Sequence, residues 1–569
     1  MFKIGALVMS CALLWSHNAG AQDALPLEGV VARDIAAGES HSYTIQLNAG
    51  DYVAGVVAQN GIIVLATPFL VDGSKTRTFA AQPGGLVRFA FAAPIAGTYR
   101  LELRAPTKEE ARTQGATQAA TGRYELKTVA KLSLDERLSP AAPHDKFVSA
   151  EIERLRAQIS KGDADTGPFW KRVAETGTPR VEEIDKDPQH QLVTFLWRAM
   201  SDTRNVAVSG TFTTGRPTDY AMSHLATTDV WYLTVRLPRG ARFVYRLSPN
   251  DPLTMDEASA EQSQATQQAD PLNPHTWFCG PKASRFECGS LAELPGAPSQ
   301  PWIVAHEGTP AGKVEKHTIK SDILKNERSL SIYTPPNYAP SRHYALLVVF
   351  DESSYLRGSL VPTPTILDNL IAAGKIPPTV AVLVGNPSQE ARNKELPPNP
   401  RFVEFLAKEL VPWVHAHYVV TNDPKLTVVA GSSYGGIAAV YAGLKHAEIF
   451  GNVLCQSGSF WWAPDHILGQ ANVDATTETG WLAKEFIKSP KLKLKFWMDA
   501  GLFEVDPFGT GGSILEPSRH MRDVLLAKGY EVTYHQYASG HDYINWRGTL
   551  GEGLIALIGT ESARSKSTH

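Results

Sequence analysis

One stretch of the chain restricts its fold more than any other, because it joins an apolar run to a helical pattern through a tight turn. It reads Leu-Thr-Val-Val-Ala-Gly-Ser-Ser-Tyr-Gly-Gly over residues 426–436, and residues 437–445 continue it with helix formers. A strand, a sharp turn and a helix in this order form a nucleophile elbow, whose turn holds one serine in strained backbone angles. Flanking glycines let strand and helix approach closely. Ser433 is therefore the candidate nucleophile.

The residue after the nucleophile contributes its backbone to the same predicted site. The Tyr434 N–H lies at the expected N-terminus of the helix, where the helix dipole favours a developing negative charge. A G-x-S-x-G match by itself marks a structural turn about as often as a catalytic one. The rest of the chain has to decide between the two interpretations.

Length and charge exclude some classes of protein. A chain of 569 residues is too long for one core and predicts roughly three or four domains. The formal net charge is -3, which argues against a nucleic-acid partner because there is no excess of basic residues to release counterions. We expect a small molecule as the partner, with no cofactor and no metal.

The N-terminus has the pattern of an export signal. Lys3 precedes an apolar run at residues 4–15, and Ala-Gly-Ala at 19–21 is suited to cleavage. Cys11 is a poor alternative site for lipid attachment, since it lies inside the apolar run. No later segment is apolar for long enough to span a bilayer. We therefore expect residues 1–21 to be a signal peptide and the mature protein to be periplasmic or secreted.

Three cysteines follow the predicted cleavage site. Cys279 and Cys288 bracket a short loop with glycine and proline, and in an oxidising compartment a local disulfide is expected. No further metal ligands accompany them. Cys455 lies within an apolar run and is expected to be a buried small side chain.

The first part of the mature chain, residues 22–131, predicts a β-sandwich. Short alternating strands are separated by turn residues, which is the signature of this architecture. Gly-Asp-Tyr at 50–52 and Ala-Gly-Thr-Tyr-Arg-Leu at 96–101 resemble the jelly-roll accessory modules of secreted bacterial hydrolases. No residue here has an obvious chemical role, so a binding or spacer function is expected.

Residues 132–168 are predicted as a helical linker, with apolar residues at helical spacing before residue 160.

Strands recur in residues 169–293, which predict an immunoglobulin-like sandwich. The polar segment 257–269 is predicted as a loop, and the proline-rich segment 294–310 as a linker. The strand candidates are residues 192–197, 206–209, 230–236 and 243–247.

The last part, residues 311–562, alternates strands and helices and is followed by a short tail at 563–569. Several of its strands are apolar on both faces, as in a parallel sheet covered by helices. The whole chain is thus predicted as a multidomain protein, with two N-terminal all-β sandwiches followed by an α/β-hydrolase domain.

A hydroxyl nucleophile needs a base and an acid, and in this fold they follow the last two strands. His541 comes just after the final predicted strand, with a glycine before it that lets the loop turn back toward Ser433. We expect it to deprotonate the serine and to protonate the leaving alkoxide. The acid candidates after the preceding strand are Glu504 and Asp506, and Glu504 is favoured. Asp499 comes too early, because it lies within or at the end of the strand.

A second oxyanion donor is expected from the loop after the strand at 346–350. The backbone at 351–353, centred on Glu352, has the right position. Arg392 follows another strand at the same edge of the sheet. Its planar guanidinium could pair with an anionic substrate, although an ion pair with Glu395 is the plain alternative.

These segments together resemble the enterochelin (enterobactin) esterase family, over roughly the last two-thirds of the chain. Several similar segments in the same order along the chain identify a family more specifically than one short motif does. In the amino-terminal domain of that family the similar segments are Val-Thr-Phe-Leu-Trp at 193–197, Thr-Asp-Val-Trp at 228–231 and Asp-Pro-Leu-Asn-Pro at 270–274. In its carboxyl domain they are residues 392–396, 429–436, 450–454, 456–462, 500–504 and 540–547.

The resemblance implies a serine esterase that opens the tri-serine lactone of catecholate siderophores such as enterobactin. It implies Ser433 as nucleophile, His541 as base and Glu504 as acid. A ferric tris-catecholate is a flat-faced trianion, which a mouth with arginines and tryptophans could bind by ion pairing, cation–π contact and aromatic packing. The expected substrate contacts are Arg392, Arg547, Trp461, Trp462 and Trp546.

The chain departs from the family pattern in two respects. Ser432 and Tyr434 flank the nucleophile where the family usually has Gln and Phe, and the predicted export contrasts with the often cytosolic family. These departures put the exact ester in question. A secreted acyl or feruloyl esterase, and a catalytically inactive binding protein, are the alternative functions.

Overall fold

The computed structural model describes residues 23–113, 116–138, 147–200, 202–277, 279–280, 283–464, 480–506 and 512–560. The predicted signal peptide and the predicted C-terminal tail lie outside the described residues. Within the described part, none of the helices combines the length and apolar composition that a membrane crossing needs.

The first unit is built from two four-stranded sheets with a shared apolar core. Buried and more exposed residues alternate along its strands, as in β3 where Tyr43, Ile45 and Leu47 are buried. The strand orders are β1-β3-β7-β5 and β2-β8-β4-β6. The strands are β1 (Asp23–Ala24), β2 (Val31–Ala36), β3 (Ser40–Leu47), β4 (Tyr52–Asn60), β5 (Leu65–Phe69), β6 (Leu86–Ala92), β7 (Gly97–Arg104) and β8 (Thr121–Leu132). Two short helices, α1 (Lys108–Thr113) and α2 (Leu134–Arg137), accompany them.

The second unit begins with helices α3 (Ala150–Ser160) and α4 (Gly167–Thr176). Its sheets have the strand orders β12-β13-β10-β9 and β11-β14-β16-β15, with Phe195, Phe243 and Tyr245 in the core. The strands are β9 (Arg180–Glu183), β10 (His190–Arg198), β11 (Val206–Gly210), β12 (Ser223–His224), β13 (Val230–Pro238), β14 (Arg242–Pro249), β15 (Thr276–Trp277) and β16 (Gly289–Glu293). A 3-10 turn spans Pro217–Tyr220.

The loop predicted at 257–269 was wrong, because most of it forms helix α5 (Glu257–Thr266). Asp256 caps this helix, and its carboxylate accepts hydrogen bonds from the Ser259 N–H and hydroxyl. Only Ser259 and Thr266 are buried on the helix, so it lacks the apolar stripe by which helices are recognised in sequence.

The third unit contains an eight-stranded sheet in the order β17-β18-β20-β19-β21-β22-β23-β24. Its six strands from β19 to β24 are parallel, whereas β17 and β18 pair antiparallel at one edge. The strands are β17 (Lys313–Ser321), β18 (Asn326–Thr334), β19 (Ala345–Phe350), β20 (Thr379–Val384), β21 (Thr427–Ser432), β22 (Asn452–Gln456), β23 (Lys495–Gly501) and β24 (Glu531–Tyr537).

Helices cover both faces of this sheet. Along β19, Leu346 and Val348 belong to one apolar cluster while Leu347 and Val349 belong to another, because successive side chains point to opposite faces. The helices are α6 (Glu352–Tyr355), α7 (Thr363–Ala372), α8 (Gln389–Glu395), α9 (Pro400–Phe405), α10 (Val411–His417), α11 (Tyr434–Lys445), α12 (Trp481–Lys488), α13 (Leu515–Ala527) and α14 (Tyr543–Ile558). A π-helical segment, Leu406–Leu410, joins α9 to α10, and a 3-10 turn spans Pro424–Leu426.

The second unit contacts the third directly beside His541. The Arg242 N–H donates to the carbonyl of Ala538 at 2.9 Å, and the Gln300 side chain donates to the carbonyl of Ile544 at 2.7 Å. Arg242 is itself buried, with its guanidinium on Glu293 and on the carbonyl of Pro298. The loop after β24 is therefore held from outside its own sheet.

A disulfide joins Cys279 and Cys288, with 5.1 Å between their Cα atoms. The residues before Cys288 contact the first unit. Arg77 donates to the carbonyl of Phe286 at 2.8 Å, Lys75 pairs with Glu287 at 2.9 Å, and Ser284 hydrogen-bonds to the carbonyl of Thr76. Cys455 is buried, as expected.

Candidate active site

Ser433 occupies the turn between β21 and α11, and its backbone has a conformation that few residues other than glycine adopt. Its φ is 57° and its ψ is -121°. Hydrogen bonds hold it there: the Ser433 N–H donates to the Gln456 carbonyl at 3.0 Å, and its own carbonyl accepts from Gly436 and Ser459. Such a strained residue persists only where its surroundings over-determine it, which is typical of functional sites.

Small residues make this turn possible. A Cβ at Gly431 would lie 2.5 Å from the backbone of Gly435, so strand and helix approach closer there than any side chain allows. The Tyr434 N–H, at the first position of α11, has no acceptor in a preceding turn of the helix. The Tyr434 N–H is the one that the sequence analysis predicts as an oxyanion donor.

His541 and Glu504 are in direct contact. The Nδ1 atom of His541 lies 2.5 Å from Oε1 of Glu504, and the second oxygen of Glu504 accepts from the Gly501 N–H at 2.5 Å. Glu504 is buried, whereas the ring of His541 is partly exposed and stands perpendicular to that of Trp546. Of the two acid candidates, Glu504 therefore contacts the imidazole, and Asp506 accepts from the Gly512 N–H.

Ser433 and His541 face common space. Two neighbouring cavities share Ser433, His541 and Arg392 in their walls. Among the described residues, the hydrogen bond of the Ser433 hydroxyl is to the Ser459 hydroxyl at 3.4 Å, and none joins it to His541. Catalytic hydrogen bonds are often long before substrate binds, so the shared wall is compatible with a serine and histidine that act together.

The two cavities differ in character. What we call the polar cavity is lined by hydroxyl, amide and carboxylate groups, and the aromatic cavity by rings and by residues of the second unit. Besides the three shared residues, the polar cavity includes Asp351, Ser353, Asn386, Gln389, Tyr543 and Trp546. The aromatic cavity includes Thr211, Thr213, Tyr434, Trp461, Phe503 and Ile514.

Arg392 lies on helix α8, not on a loop, and its charge is already paired. Its Nε and Nη2 atoms donate to the two oxygens of Asp351, both at 2.7 Å. Asn386 donates to the same carboxylate at 2.6 Å. The ion pair between Arg392 and Glu395, which the sequence analysis gave as the alternative, is not formed. Glu395 instead pairs with the buried guanidinium of Arg328 at 2.7 Å.

Glu352 begins helix α6 directly after Asp351, whose φ of 62° turns the chain sharply at the end of β19. The Glu352 side chain is buried and accepts hydrogen bonds from the hydroxyls of Ser329 and Ser331. Side-chain burial fixes this turn in place. The backbone N–H of Glu352 is the second oxyanion donor that the sequence analysis predicts.

The predicted aromatic and basic contacts separate into two groups. Trp461 lines the aromatic cavity and Trp546 lines the polar cavity, although both are largely buried. Among the described residues, neither Trp462 nor Arg547 lines either cavity. Trp462 packs against Trp481, with ring centroids 5.5 Å apart.

Arg547 is held away from the cavities by other contacts. It donates to the Gln300 side chain at 2.8 Å, lies 3.8 Å from Glu293, and its guanidinium covers the ring of Trp277. It therefore belongs to the contact between the second and third units.

Asp499, at the end of β23, is a buried carboxyl that the sequence analysis set aside. Burial, opposed by a hydrogen bond from Thr549 and reinforced by the nearby charge of Glu504, raises its pKa to about 8. One of its oxygens accepts from the Ser457 N–H at 2.8 Å. The Asp499 carboxyl therefore keeps its proton to a higher pH than an ordinary aspartate does.

The second unit contributes residues that sequence reasoning missed. Thr211 and Thr213 line the aromatic cavity. A Cβ on Gly540 would fall well inside contact distance of the Thr211 carbonyl oxygen, so the loop before His541 presses directly on the second unit. No local pattern signals this contact, because the two segments are more than 300 residues apart. The glycine before His541 was noted only for its ability to turn the loop.

Comparison with known proteins relates the chain to a family of esterases. The model of a family described as enterochelin esterase, N-terminal, matches residues 192–303, and that of a putative esterase family matches residues 321–557. The chain is 30% identical to the iron(III) enterobactin esterase of Dickeya dadantii, over 75% of this chain and 99% of that protein. It is 27% identical to the iron(III) salmochelin esterase of Escherichia coli, over 72% of this chain and 98% of that protein.

A solved structure agrees with the family relation found from the sequences. The enterobactin esterase from Shigella flexneri, determined in the presence of enterobactin, aligns with a TM-score of 0.53 at 30% identity, over 67% of this chain and 95% of that one. The elbow, the histidine loop and the family matches thus lie in one continuous part of the chain. The protein belongs to the enterochelin (enterobactin) esterase family.

Proposed function

We propose that this protein is a serine esterase that hydrolyses the ester bonds of catecholate siderophores such as enterobactin, with Ser433, His541 and Glu504 as its catalytic triad. The observation that carries the proposal is the contact between His541 and Glu504 at the wall of the cavities that Ser433 enters. The relatives named as iron(III) enterobactin and salmochelin esterases support the substrate class.

The reaction follows from the placement of the three side chains. His541 removes the proton of the Ser433 hydroxyl as the oxygen attacks the ester carbonyl. Glu504, in contact with Nδ1, keeps the other ring nitrogen free to accept that proton and stabilises the imidazolium. The tetrahedral oxyanion is stabilised by the N–H of Tyr434 at the start of α11 and by the N–H of Glu352.

Collapse of this intermediate breaks the ester bond. The alkoxide of the departing serine unit takes the proton from His541, and the acyl group remains on Ser433. A water molecule, deprotonated by the same imidazole, then attacks the acyl-enzyme and releases a carboxylic acid and free Ser433.

The two cavities suit an ester with two different sides. The aromatic cavity offers Tyr434 and Trp461, with ring centroids 5.8 Å apart, for a dihydroxybenzoyl ring. The polar cavity offers hydroxyl and amide groups for the serine scaffold. We also assign the two N-terminal units as β-sandwiches, the second of which forms part of the substrate site.

The test is hydrolysis of enterobactin by the purified chain, followed by chromatography of the dihydroxybenzoyl-serine products. We expect cleavage by the parent and none by Ser433→Ala, with a nitrophenyl ester as a second substrate. Equal rates for parent and variant would remove Ser433 from the mechanism. Cleavage of feruloylated sugars in preference to enterobactin would instead establish the alternative esterase.

We further propose that residues 1–21 direct export and are removed. The basis is the sequence pattern of a charged start, an apolar run and an Ala-Gly-Ala site. N-terminal sequencing of the protein from the periplasmic fraction should begin at Gln22. Recovery of the uncleaved chain from the cytoplasm would contradict it.

A further inference from the structure

The charges around Ser433 do not suit a highly anionic ligand. Among the described residues lining the two cavities, the groups able to carry charge are Asp351, Arg392, Glu504 and His541. Arg392 is the only arginine among the described wall residues, which include no lysine. With a neutral imidazole, as catalysis requires, the sum of these charges is -1.

The single arginine is not available as a receptor for anions. Two of its three guanidinium nitrogens donate to both oxygens of Asp351, whose side chain is 5% exposed. Asn386 holds the same carboxylate. Drawing Arg392 away would leave a buried carboxylate without its cation, which is strongly unfavourable. Its charge therefore cancels that of Asp351 and leaves little attraction for a ligand.

The residues behind the walls do not reverse this balance. Glu352 is buried and Asp542 is half-buried, both next to wall residues, and Arg547 is engaged by Gln300, Glu293 and Trp277. The segments 465–479 and 507–511, which adjoin wall residues in sequence, contain three acidic residues and no lysine or arginine.

A ferric tris-catecholate carries three negative charges, whereas the iron-free ligand has protonated phenols below neutral pH and is uncharged. Like charges brought close together in a site with a low effective dielectric constant repel strongly. The neutral hydroxyl and amide groups of Thr211, Ser353 and Gln389, by contrast, suit phenols and amides.

We infer that this esterase takes the uncharged, iron-free catecholate ester in preference to the ferric complex. The inference rests on the proposed function and adds the charge state of the substrate. It follows from the pairing of Arg392 with Asp351 and from the absence of any other lysine or arginine among the described wall residues.

The first experiment compares kcat/KM for iron-free enterobactin, its ferric complex and its gallium(III) complex, which has the same charge without redox chemistry. We expect the iron-free ester to be cleaved at least about ten times more efficiently than both complexes. Equal or faster cleavage of the complexes would overturn the inference and leave the proposed function standing. If no form were cleaved while a nitrophenyl ester was, the proposed function would fall, and this inference with it.

Salt provides an independent measurement. Screening weakens repulsion between the site and a trianion, so kcat/KM for the gallium complex should rise with ionic strength, while that for the iron-free ester should stay nearly constant. A fall for the gallium complex would reveal a cationic receptor and contradict the inference.

A designed charge tests the cause. Val505 lines the aromatic cavity and is 39% exposed, so Val505→Lys adds a cation without breaking a core contact. We expect it to raise the ratio of gallium-complex to iron-free kcat/KM at least about fivefold, while the matched Val505→Gln leaves that ratio unchanged. An unchanged ratio in the lysine variant would show that charge does not set the preference.

Arg216 supplies the remaining control, because it is exposed three residues after Thr213 but does not line either cavity. Arg216→Gln should leave the same ratio within twofold. A selective loss of activity toward the gallium complex would mean that Arg216 reaches the ligand, which would overturn the inference.

Discussion

The loop that carries Ser433 and the loop that carries His541 are held in place in different ways. Ser433 is fixed by its own unit, through the close approach of Gly431 to Gly435 and the hydrogen bond to Gln456. The His541 loop depends on the second unit, through the backbone bond from Arg242 to Ala538 and the contact of Gly540 with Thr211. The proposed nucleophile is thus held by its own sheet, whereas the proposed base is positioned by a neighbouring unit.

The largest expected effect is the loss of activity when Ser433 is replaced, and two replacements distinguish this loss from a change in stability. Ser433→Gly and Ser433→Ala should each lower kcat by at least about 10,000-fold, because the nucleophile is lost. Only the glycine variant should gain stability, about 1 kcal/mol, because glycine adopts φ 57° and ψ -121° without strain. Ester hydrolysis and urea unfolding measure the two effects. Equal stability of the two variants would show that the elbow is not strained.

The next effect concerns the acid. Glu504→Gln should lower kcat by about 1,000- to 10,000-fold while the protein stays folded, since an amide no longer stabilises the imidazolium. Asp506→Asn is the matched control, because Asp506 accepts from the Gly512 N–H while Glu504 makes the contact with His541 Nδ1. We expect less than a twofold change there. A larger loss in the control than in Glu504→Gln would reassign the acid.

A smaller loss is expected when the contact between units is disturbed. Gly540→Ala places a methyl group against the Thr211 carbonyl and should displace His541, which lowers kcat about 10- to 100-fold for a shift near 1 Å. Gly358→Ala, where the added atom meets open space, should leave kcat and the melting temperature nearly unchanged. Full activity of Gly540→Ala would show that the second unit does not position the base.

Asp499 gives the smallest effect on rate and the clearest dependence on pH. Its pKa is raised from 3.8 to about 8, so between these values the folded state retains a proton that the unfolded state releases. Stability from this group therefore falls as pH rises from about 4 to about 8, by up to about 1.4 kcal/mol per pH unit.

Asp499→Asn stays neutral at every pH, so it should be more stable than the parent by an amount that grows between pH 4 and pH 8. At pH 7 we expect less than a threefold change in kcat. Urea unfolding of both proteins across this range measures the difference. A constant difference would mean that Asp499 titrates as an ordinary carboxyl.

The sequence predicted what depends on local order along the chain. The elbow, the succession of strands and the resemblance to the esterase family all follow from contiguous motifs, and the family membership is confirmed. Helix α5 was missed because it has a cap at Asp256 but no apolar stripe. Helix α8 was missed in the same way, with Ser388 as its cap.

What the sequence did not predict depends on tertiary neighbours. Arg392 was expected to be open to substrate, yet its partner Asp351 lies 41 residues away in the chain. Arg547 follows Trp546 directly, but contacts with Gln300 and Trp277 turn it away from the cavities. Two adjacent residues of one motif can therefore have different roles: Trp546 lines a cavity, and Arg547 joins the second unit to the third.

The disulfide-closed segment around Cys288 has a practical consequence. Its residues Ser284, Phe286 and Glu287 are matched to Thr76, Arg77 and Lys75 of the first unit, and Phe286 is 5% exposed. Removing residues 23–132 would take away the cation that pairs with Glu287 and the donor to the Phe286 carbonyl. Shortened versions of the protein that begin after the first unit should therefore be less soluble than the full-length chain. The first unit is better described as a domain packed on the second unit than as a flexibly attached one.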